Sequence, residues 1–202
     1  MNDADRTVDL IEKRTVFDGY FRIDRFRIRH SLHDGGMSDP LDREVFERGH
    51  VAAVLPVDPV RDEVVLIEQF RIGPYAAGWY PWLLEGVAGI IGDGETAEDV
   101  ARREAMEEAG CEITDLVPVI RYLSSPGACT ETVDLFCGRV DAGRAGGIHG
   151  LDEEGEDIRV VVYSLEAALA LLEAGKIVNG KTIIALQWLA LNYDRLKDRW
   201  QG

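Results

Sequence analysis

Residues Gly89 to Cys111 read GIIGDGETAEDVARREAMEEAGC, and the rest of the chain is organised around them. The stretch opens with Gly89, Gly92 and Gly94 close together. Glycine reaches backbone angles denied to other residues, so this segment turns sharply and approaches a ligand closely. Thr96 reads as a helix N-cap, with Asp99 in the capping-box position. The spacing predicts a helix from Ala97 to Ala109, ended by Gly110 at the C′ position.

Glu104, Glu107 and Glu108 are related by i+3 and i+4 and therefore share one face of that helix. Like charges at this spacing repel by a few tenths of a kcal/mol per pair. Ala97, Ala101, Ala105 and Ala109 form a narrow flank suited to close packing on a sheet. The carboxylates then sit beside a buried surface, where clustered negative charge calls for a cation. All-oxygen ligation points to a hard metal, Mg²⁺ or Mn²⁺. Arg103, four residues before Glu107, is placed to orient it. The alternative is an acidic helix face that is simply solvated.

The full spacing favours the metal. Gly89, Glu95, Arg103-Glu104, Glu107-Glu108 and Gly110 match all seven fixed identities of the Nudix box, which this stretch resembles. Ala105 and Cys111 stand where that family favours large aliphatic residues, a departure that touches packing more than chemistry.

The chain of 202 residues carries a net charge of −15, with 46% hydrophobic residues. That is enough for a sizeable core in one domain with a modest extension. The charge argues against nucleic acid or an anionic membrane as a partner. It leaves room for a small anionic substrate, because a metal and a few arginines reverse the sign locally. Cys111, Cys129 and Cys137 show no metal-type pairing. An odd cysteine count, and an N-terminus, MNDADRTVDL, too polar for a signal peptide, point to reduced thiols in a cytoplasm. No apolar run approaches the ~20 residues of a membrane span.

Thr7 to Ile28 reads as strands, and the change of phase between Ile23 and Phe26 indicates a bulge or bend. His33 to Gly36 is a turn. The charged run Arg43 to His50 precedes an apolar strand, Val51 to Val57, and Glu63 to Phe70 is the next strand. The charged run is either an exposed edge or a source of guanidinium groups for a diphosphate or base edge. Gly73 to Trp82 reads as a loop whose Trp79, Tyr80 and Trp82 cover a core edge or a dimer contact. Leu83 to Ala88 is a short apolar strand with Glu85 inside it. Extended segments are expected over Ile113 to Leu123, Thr132 to Val140 and Ile158 to Tyr163. A long acidic loop, Asp141 to Asp157, is either a solvated linker or the carrier of a general base. Two helices close the chain, Leu165 to Ala174 and Lys181 to Lys197, the second with Ile184, Leu186, Trp188, Leu189 and Leu191 as packing positions.

Beyond the box, REVFERGH, DPVRDEVVLIEQFRI, PWLLE, SPGACTE, GIHGLDEEGEDIRV and GKTIIALQWL resemble the bacterial ADP-ribose pyrophosphatase subfamily of Nudix hydrolases. The resemblance implies an α/β/α sandwich around a mixed sheet over residues 49–202. It also implies an N-terminal antiparallel strand subdomain over 1–48, exchanged across a homodimer. It implies Mg²⁺ held by the Ala88 carbonyl, Glu104, Glu108 and Glu156, with Glu107 as ligand or orienter, and Glu154 as general base. Tyr20, Phe21, Arg43, Glu44 and Arg48 would contact the adenosine end of the substrate. Arg71, Ile90, Ser125 and Glu131 would line the diphosphate and terminal ribose. The reaction implied is hydrolysis of ADP-ribose to AMP and ribose 5-phosphate. Another nucleoside diphosphate sugar such as GDP-mannose is the alternative substrate. A non-catalytic ligand-sensing module is the alternative of a different kind, and it would be expected to lose box glutamates that this chain keeps.

Overall fold

A computed structural model describes residues 6–151 and 155–201. The chain divides into two compact units. One runs through His50 and includes Leu123–Thr132; the other comprises Val51–Tyr122 and the residues from Val133 onward.

The first unit is a three-stranded antiparallel sheet, β1 (Val8–Asp18), β2 (Arg22–His30) and β3 (Leu41–Glu47), in the order β1-β2-β3. The expected irregularity is present but sits in β1, where the register shifts between Leu10 and Glu12 and again between Thr15 and Phe17. Gly35 and Gly36 take positive φ in the turn before β3, as the Asp-Gly-Gly sequence requires. Leu123–Thr132 joins this unit through backbone bonds to β3: Phe46 N donates to Ala128 O, and Thr130 N donates to Phe46 O.

The second unit is built on an eight-stranded mixed sheet. Its central path runs β10-β11-β5-β4-β9-β8, comprising β4 (Val51–Asp58), β5 (Glu63–Phe70), β8 (Asp115–Leu123), β9 (Thr132–Arg139), β10 (Gly147–His149) and β11 (Ile158–Ser164). Strand β9 runs parallel to β4. Every residue of β4 is buried, so both faces of the strand are covered. Alternation along β4 and β5 decides what covers them. Ala52, Val54, Val65 and Ile67 share one apolar cluster with Val100, Ala101, Ala105 and Ala109 of α2 (Ala97–Ala109). Val51, Ala53, Leu55, Val64 and Leu66 share the other with Ala168 of α3 (Leu165–Glu173) and with Ala185, Leu186 and Leu189 of α4 (Gly180–Gln201). This is the α/β/α sandwich that the resemblance implied.

Four local readings need correction. The apolar run at 83–88 is two strands, β6 (Trp82–Glu85) and β7 (Val87–Ile90), split at Gly86. Strand β6 pairs with β5 and β7 with β4, while β4 and β5 pair with each other only at Val57–Val64 and Asp58–Glu63. A Cβ at Gly86 would stand 3.1 Å from the Val54 carbonyl oxygen, a tight contact that glycine avoids at this crossing. The loop at 73–82 begins with a short helix, α1 (Ile72–Ala76). The long loop after β9 contains a 3-10 turn at Ala142–Arg144 and strand β10, which pairs with β11. Leu191 is 85% exposed and is no packing position.

The β4–β5 turn is held by Asp58. Its Oδ1 accepts from Val60 N and Arg61 N, and its Oδ2 accepts from Arg61 Nη1 and Ala142 N. Burial pushes this carboxyl up, but the bonds from Ala142, Arg61 and Val60 outweigh burial and leave it below its ordinary value. Removing the carboxylate strands several donors, so Asp58→Ala should lower stability by about 3 kcal/mol in denaturant titration. Because the folded group is the stronger acid, its contribution is present above pH ~4 and is lost as pH falls through the folded value. The gap between wild type and variant should therefore close in acid. Among the described residues, no helix is long and apolar enough to cross a membrane.

Candidate active site

Local signals in the sequence place α2. Thr96 Oγ1 accepts from Asp99 N, and Gly110 ends the helix in the left-handed region at φ 62°. Gly110 has a second duty, since a Cβ there would lie 2.8 Å from Cε1 of His149. That histidine, read from sequence as loop filler, donates to or accepts from nothing on α2; its Nε2 bonds the Gly146 carbonyl.

The helix brings Glu104 and Glu108 against β7, with Glu107 held by Arg103 beside them. Glu104 lies directly over Gly89: a Cβ there would fall 1.8 Å from Glu104 Oε1. Glu108 is 3% exposed, and its Oε2 accepts from Ala88 N at 3.1 Å. Burial, together with the charge of Glu104, pushes the Glu108 carboxyl up to about 7, against the pull of the Ala88 amide, Lys181 and Arg71. Glu104 is raised as well, first by burial and then by Glu107 and Glu156, with Arg103 acting the other way. The influence of Glu156 puts the acidic loop's described end within electrostatic reach of the helix.

Arg103 does more than orient Glu107. Its Nη1 bonds both Glu104 Oε1 at 2.8 Å and Glu107 Oε2 at 3.0 Å, and its Nε bonds Glu95 Oε1 at 3.2 Å. Glu95 in turn accepts from Gly92 N, which closes the glycine loop onto the helix. Among the described residues, no three His, Cys, Asp or Glu side chains already surround one point as a metal would require. Arg103 supplies the positive charge for two of the carboxylates as they stand. The donor set fits a hard divalent cation nonetheless: it is all oxygen, partly buried, and held in the charged form only against desolvation.

A second charged group adjoins the first. Glu85, at the end of β6, is 1% exposed. Its Oε2 accepts from Arg71 Nε at 3.0 Å, Arg71 Nη2 at 2.7 Å and Lys181 Nζ at 3.2 Å, and its Oε1 accepts from Asn179 Nδ2 at 2.6 Å. Asn179 Oδ1 also accepts from Thr182 N and Oγ1, and Thr182 Oγ1 accepts from Gly86 N. Burial raises the Glu85 carboxyl, and Lys181 and Arg71 reverse this to leave it below the ordinary range. Sequence reasoning singled out Arg71, noted Glu85 without giving it a role, and missed Asn179, Lys181 and Thr182 as site residues. A lone acid inside the apolar run WLLEGVAG was the available signal. Ile90, at the end of β7, is 46% exposed.

In the first unit, Phe21 packs edge-on against Phe46 and Tyr20, and the Arg48 guanidinium lies 5.7 Å from the Phe21 ring centre. Arg48 Nη1 stands 3.0 Å from Glu131 Oε2, an ion pair without hydrogen-bond alignment. Ser125 is exposed, and its carbonyl accepts from Cys129 N in the same turn as Glu131. Tyr20 is 89% exposed and offers an open ring. Arg43 and Glu44 are neighbours on β3, and both are exposed. Of the acidic loop, Glu156 Oε2 accepts from Leu151 N at 3.2 Å. Glu154 lies outside the described residues, as does Glu153. Cys111, Cys129 and Cys137 are free, and burial raises the Cys111 thiol to about 11 and that of Cys137 to about 12.

A family model described as NUDIX domain matches residues 48–186. The chain belongs to the Nudix family. Among curated relatives, the protein named ADP-ribose pyrophosphatase from Escherichia coli (strain K12) is 53% identical over 193 residues, 96% of this chain and 92% of that one. The protein of the same name from Haemophilus influenzae is 41% identical over 98% of this chain and 93% of its own. The GDP-mannose pyrophosphatase of Pectobacterium atrosepticum is 32% identical over 89% of this chain and 92% of its own. A solved crystal structure of an ADP compounds hydrolase superposes with a TM-score of 0.70 over 95% of each chain at 19% identity, a likeness of Nudix fold.

Proposed function

We propose that this Nudix enzyme hydrolyses the diphosphate bond of ADP-ribose, releasing AMP and ribose 5-phosphate, with Mg²⁺ as its metal and Mn²⁺ able to substitute. The observation that carries the substrate is the 53% identity, along nearly the whole chain, with a protein named ADP-ribose pyrophosphatase. Relatives named for GDP-mannose stand further off, at 32%. Glu104, Glu108, Glu156 and the Ala88 carbonyl would hold the ions, with Glu107 as ligand or orienter. When bound, divalent ions offset the diphosphate charge and polarise its oxygens.

The protein's own groups do the rest. Glu154 takes the proton of the attacking water. Arg71 meets the phosphoryl oxygens, and Ile90, Ser125 and Glu131 line the diphosphate and terminal ribose. Tyr20 and Phe21 offer rings to the adenine, with Arg43, Glu44 and Arg48 at the adenosine end. The catalytic domain spans residues 49–202 and the strand subdomain 1–48. Its eleven-residue strand β1, exposed along its whole length with Val8, Leu10, Ile11 and Phe17 among the uncovered side chains, supports exchange between two copies. The enzyme works in the cytoplasm on a small nucleotide sugar, without nucleic acid or membrane as partner.

A hydrolysis panel of ADP-ribose, GDP-mannose, NADH and diadenosine polyphosphates tests the substrate. ADP-ribose should be cleaved fastest, only with Mg²⁺ or Mn²⁺ present, and EDTA should stop the reaction. Cleavage of GDP-mannose without ADP-ribose would move the assignment within the family. Sedimentation at micromolar protein should give a dimer; a monomer would refute the exchanged arrangement.

A further inference from the structure

Glu85 is a buried carboxylate that binds no box residue, yet four donor bonds from two distant segments converge on it: from Arg71 after β5, and from Asn179 and Lys181 where α4 begins. A buried acid facing a single arginine would cancel that arginine's charge. Here one carboxylate faces two cations, so one positive charge remains. Thr182, next to Lys181, accepts from Gly86 N, and Glu108 accepts from Ala88 N two residues further along the same backbone, which places the surplus beside the box. The Arg71 side chain is held by its Nε and Nη2 edge and is 35% exposed. Its Nη1 has no partner among the described residues. Lys181 is 13% exposed, too enclosed to be a solvated surface lysine.

We propose that Glu85 and Lys181 are positioning residues for diphosphate hydrolysis. Glu85 fixes the Arg71 guanidinium with its Nη1 edge free for a phosphoryl oxygen, and Lys181 offsets the negative charge of Glu85, which would otherwise cancel that of Arg71. The chemical reason for a carboxylate in this place is geometric. An arginine at a strand end swings over several ångströms, and misplacing a phosphate ligand by about 1 Å costs on the order of 10²-fold in rate. The proposal rests on the diphosphatase reading above, and its test has an arm that does not depend on activity.

In the full-length chain, the Arg71 Nε–Hε signal is followed by NMR with isotope-labelled arginine and assigned by its loss in Arg71→Lys. It should exchange slowly in wild type, persist in Lys181→Met and vanish in Glu85→Gln. A signal unchanged in Glu85→Gln overturns the mounting of Arg71, whatever the substrate proves to be. In the activity arm, Glu85→Gln should lower kcat/KM by about 10²-fold. Adding Glu85→Gln to Arg71→Gln should cost little more, because residues acting as one unit are not additive. Losses that simply multiply would show a general structural role and overturn the proposal. Lys181→Met should lower kcat/KM about tenfold with the Arg71 signal intact; unchanged kinetics would remove Lys181 from it. Should Glu85→Gln not fold, Glu85→Gln with Lys181→Met removes one buried charge of each sign. Full activity in that variant overturns the proposal equally.

Discussion

Gly89→Ala is expected to lower kcat/KM by about 10²-fold or more while leaving the protein folded. A methyl group on this residue would fall 1.8 Å from Glu104 Oε1, 2.1 Å from its Cδ and 2.5 Å from its Cγ. No arrangement of those atoms tolerates such distances, so one group must leave. The backbone of β7 is hydrogen-bonded to β4, whereas the atoms of Glu104 that clash are the far end of a flexible side chain. The side chain therefore moves. Stability should change little, because Glu104 is only partly buried and is bonded chiefly to Arg103. The function should suffer as though Glu104 itself had been removed. The check is a double-variant cycle: Glu104→Gln should add almost nothing in the Gly89→Ala background. A variant with near-wild-type kcat/KM would show that Glu104 does not need its place over β7.

Glu154→Gln should reduce kcat by ~10²–10⁴, the scale of a lost general base, with substrate and metal still bound. Glu104→Gln should differ in kind. It removes a charged ligand from the helix face, so metal affinity should fall and excess Mg²⁺ should restore part of the rate. Excess Mg²⁺ should do nothing for Glu154→Gln, because an amide cannot accept the water's proton at any metal concentration. The measurement is kcat against Mg²⁺ concentration for both variants, together with binding of a non-hydrolysable ADP-ribose analogue. Near-normal kcat in Glu154→Gln would move the base to Glu153 or Glu156. Glu156 is the weaker of these, since its carboxylate is already bonded to the Leu151 amide.

Helix α2 was legible to the residue because both its ends are local. A threonine bonds an amide three positions on, and a glycine takes a left-handed angle. Strand β5 matched its expected bounds for a similar reason, since turn residues precede it and an apolar run fills it. The split at Gly86 was not legible, because it depends on which neighbour each half pairs with, and pairing is a tertiary choice. The Glu85 cluster was hidden by distance: its partners at Asn179 and Lys181 are 94 and 96 residues away. The three glutamates of the box were readable as one face, but the sharing of Arg103 by two of them was only half visible. Helical spacing exposed the contact to Glu107 and not the one to Glu104.

The split at Gly86 also bears on how the enzyme can move. Strands β4 and β5 part after two residue pairs, and β6 and β7 fill the fork between them. The backbone that carries Ala88 and Gly89 is thus a wedge bonded into the middle of the sheet, with apolar clusters on both faces. Each half of the wedge is bonded to one neighbour, β6 to β5 and β7 to β4, and Val87 at its base is fully buried, so its opening should cost more than that of the exposed loops around it. The floor of the site is therefore tied to the sheet through β4 and β5. Any closure over the substrate has to come from chain outside the fork, and adaptation to new nucleotide sugars has to proceed by exchanging walls around an unchanging floor.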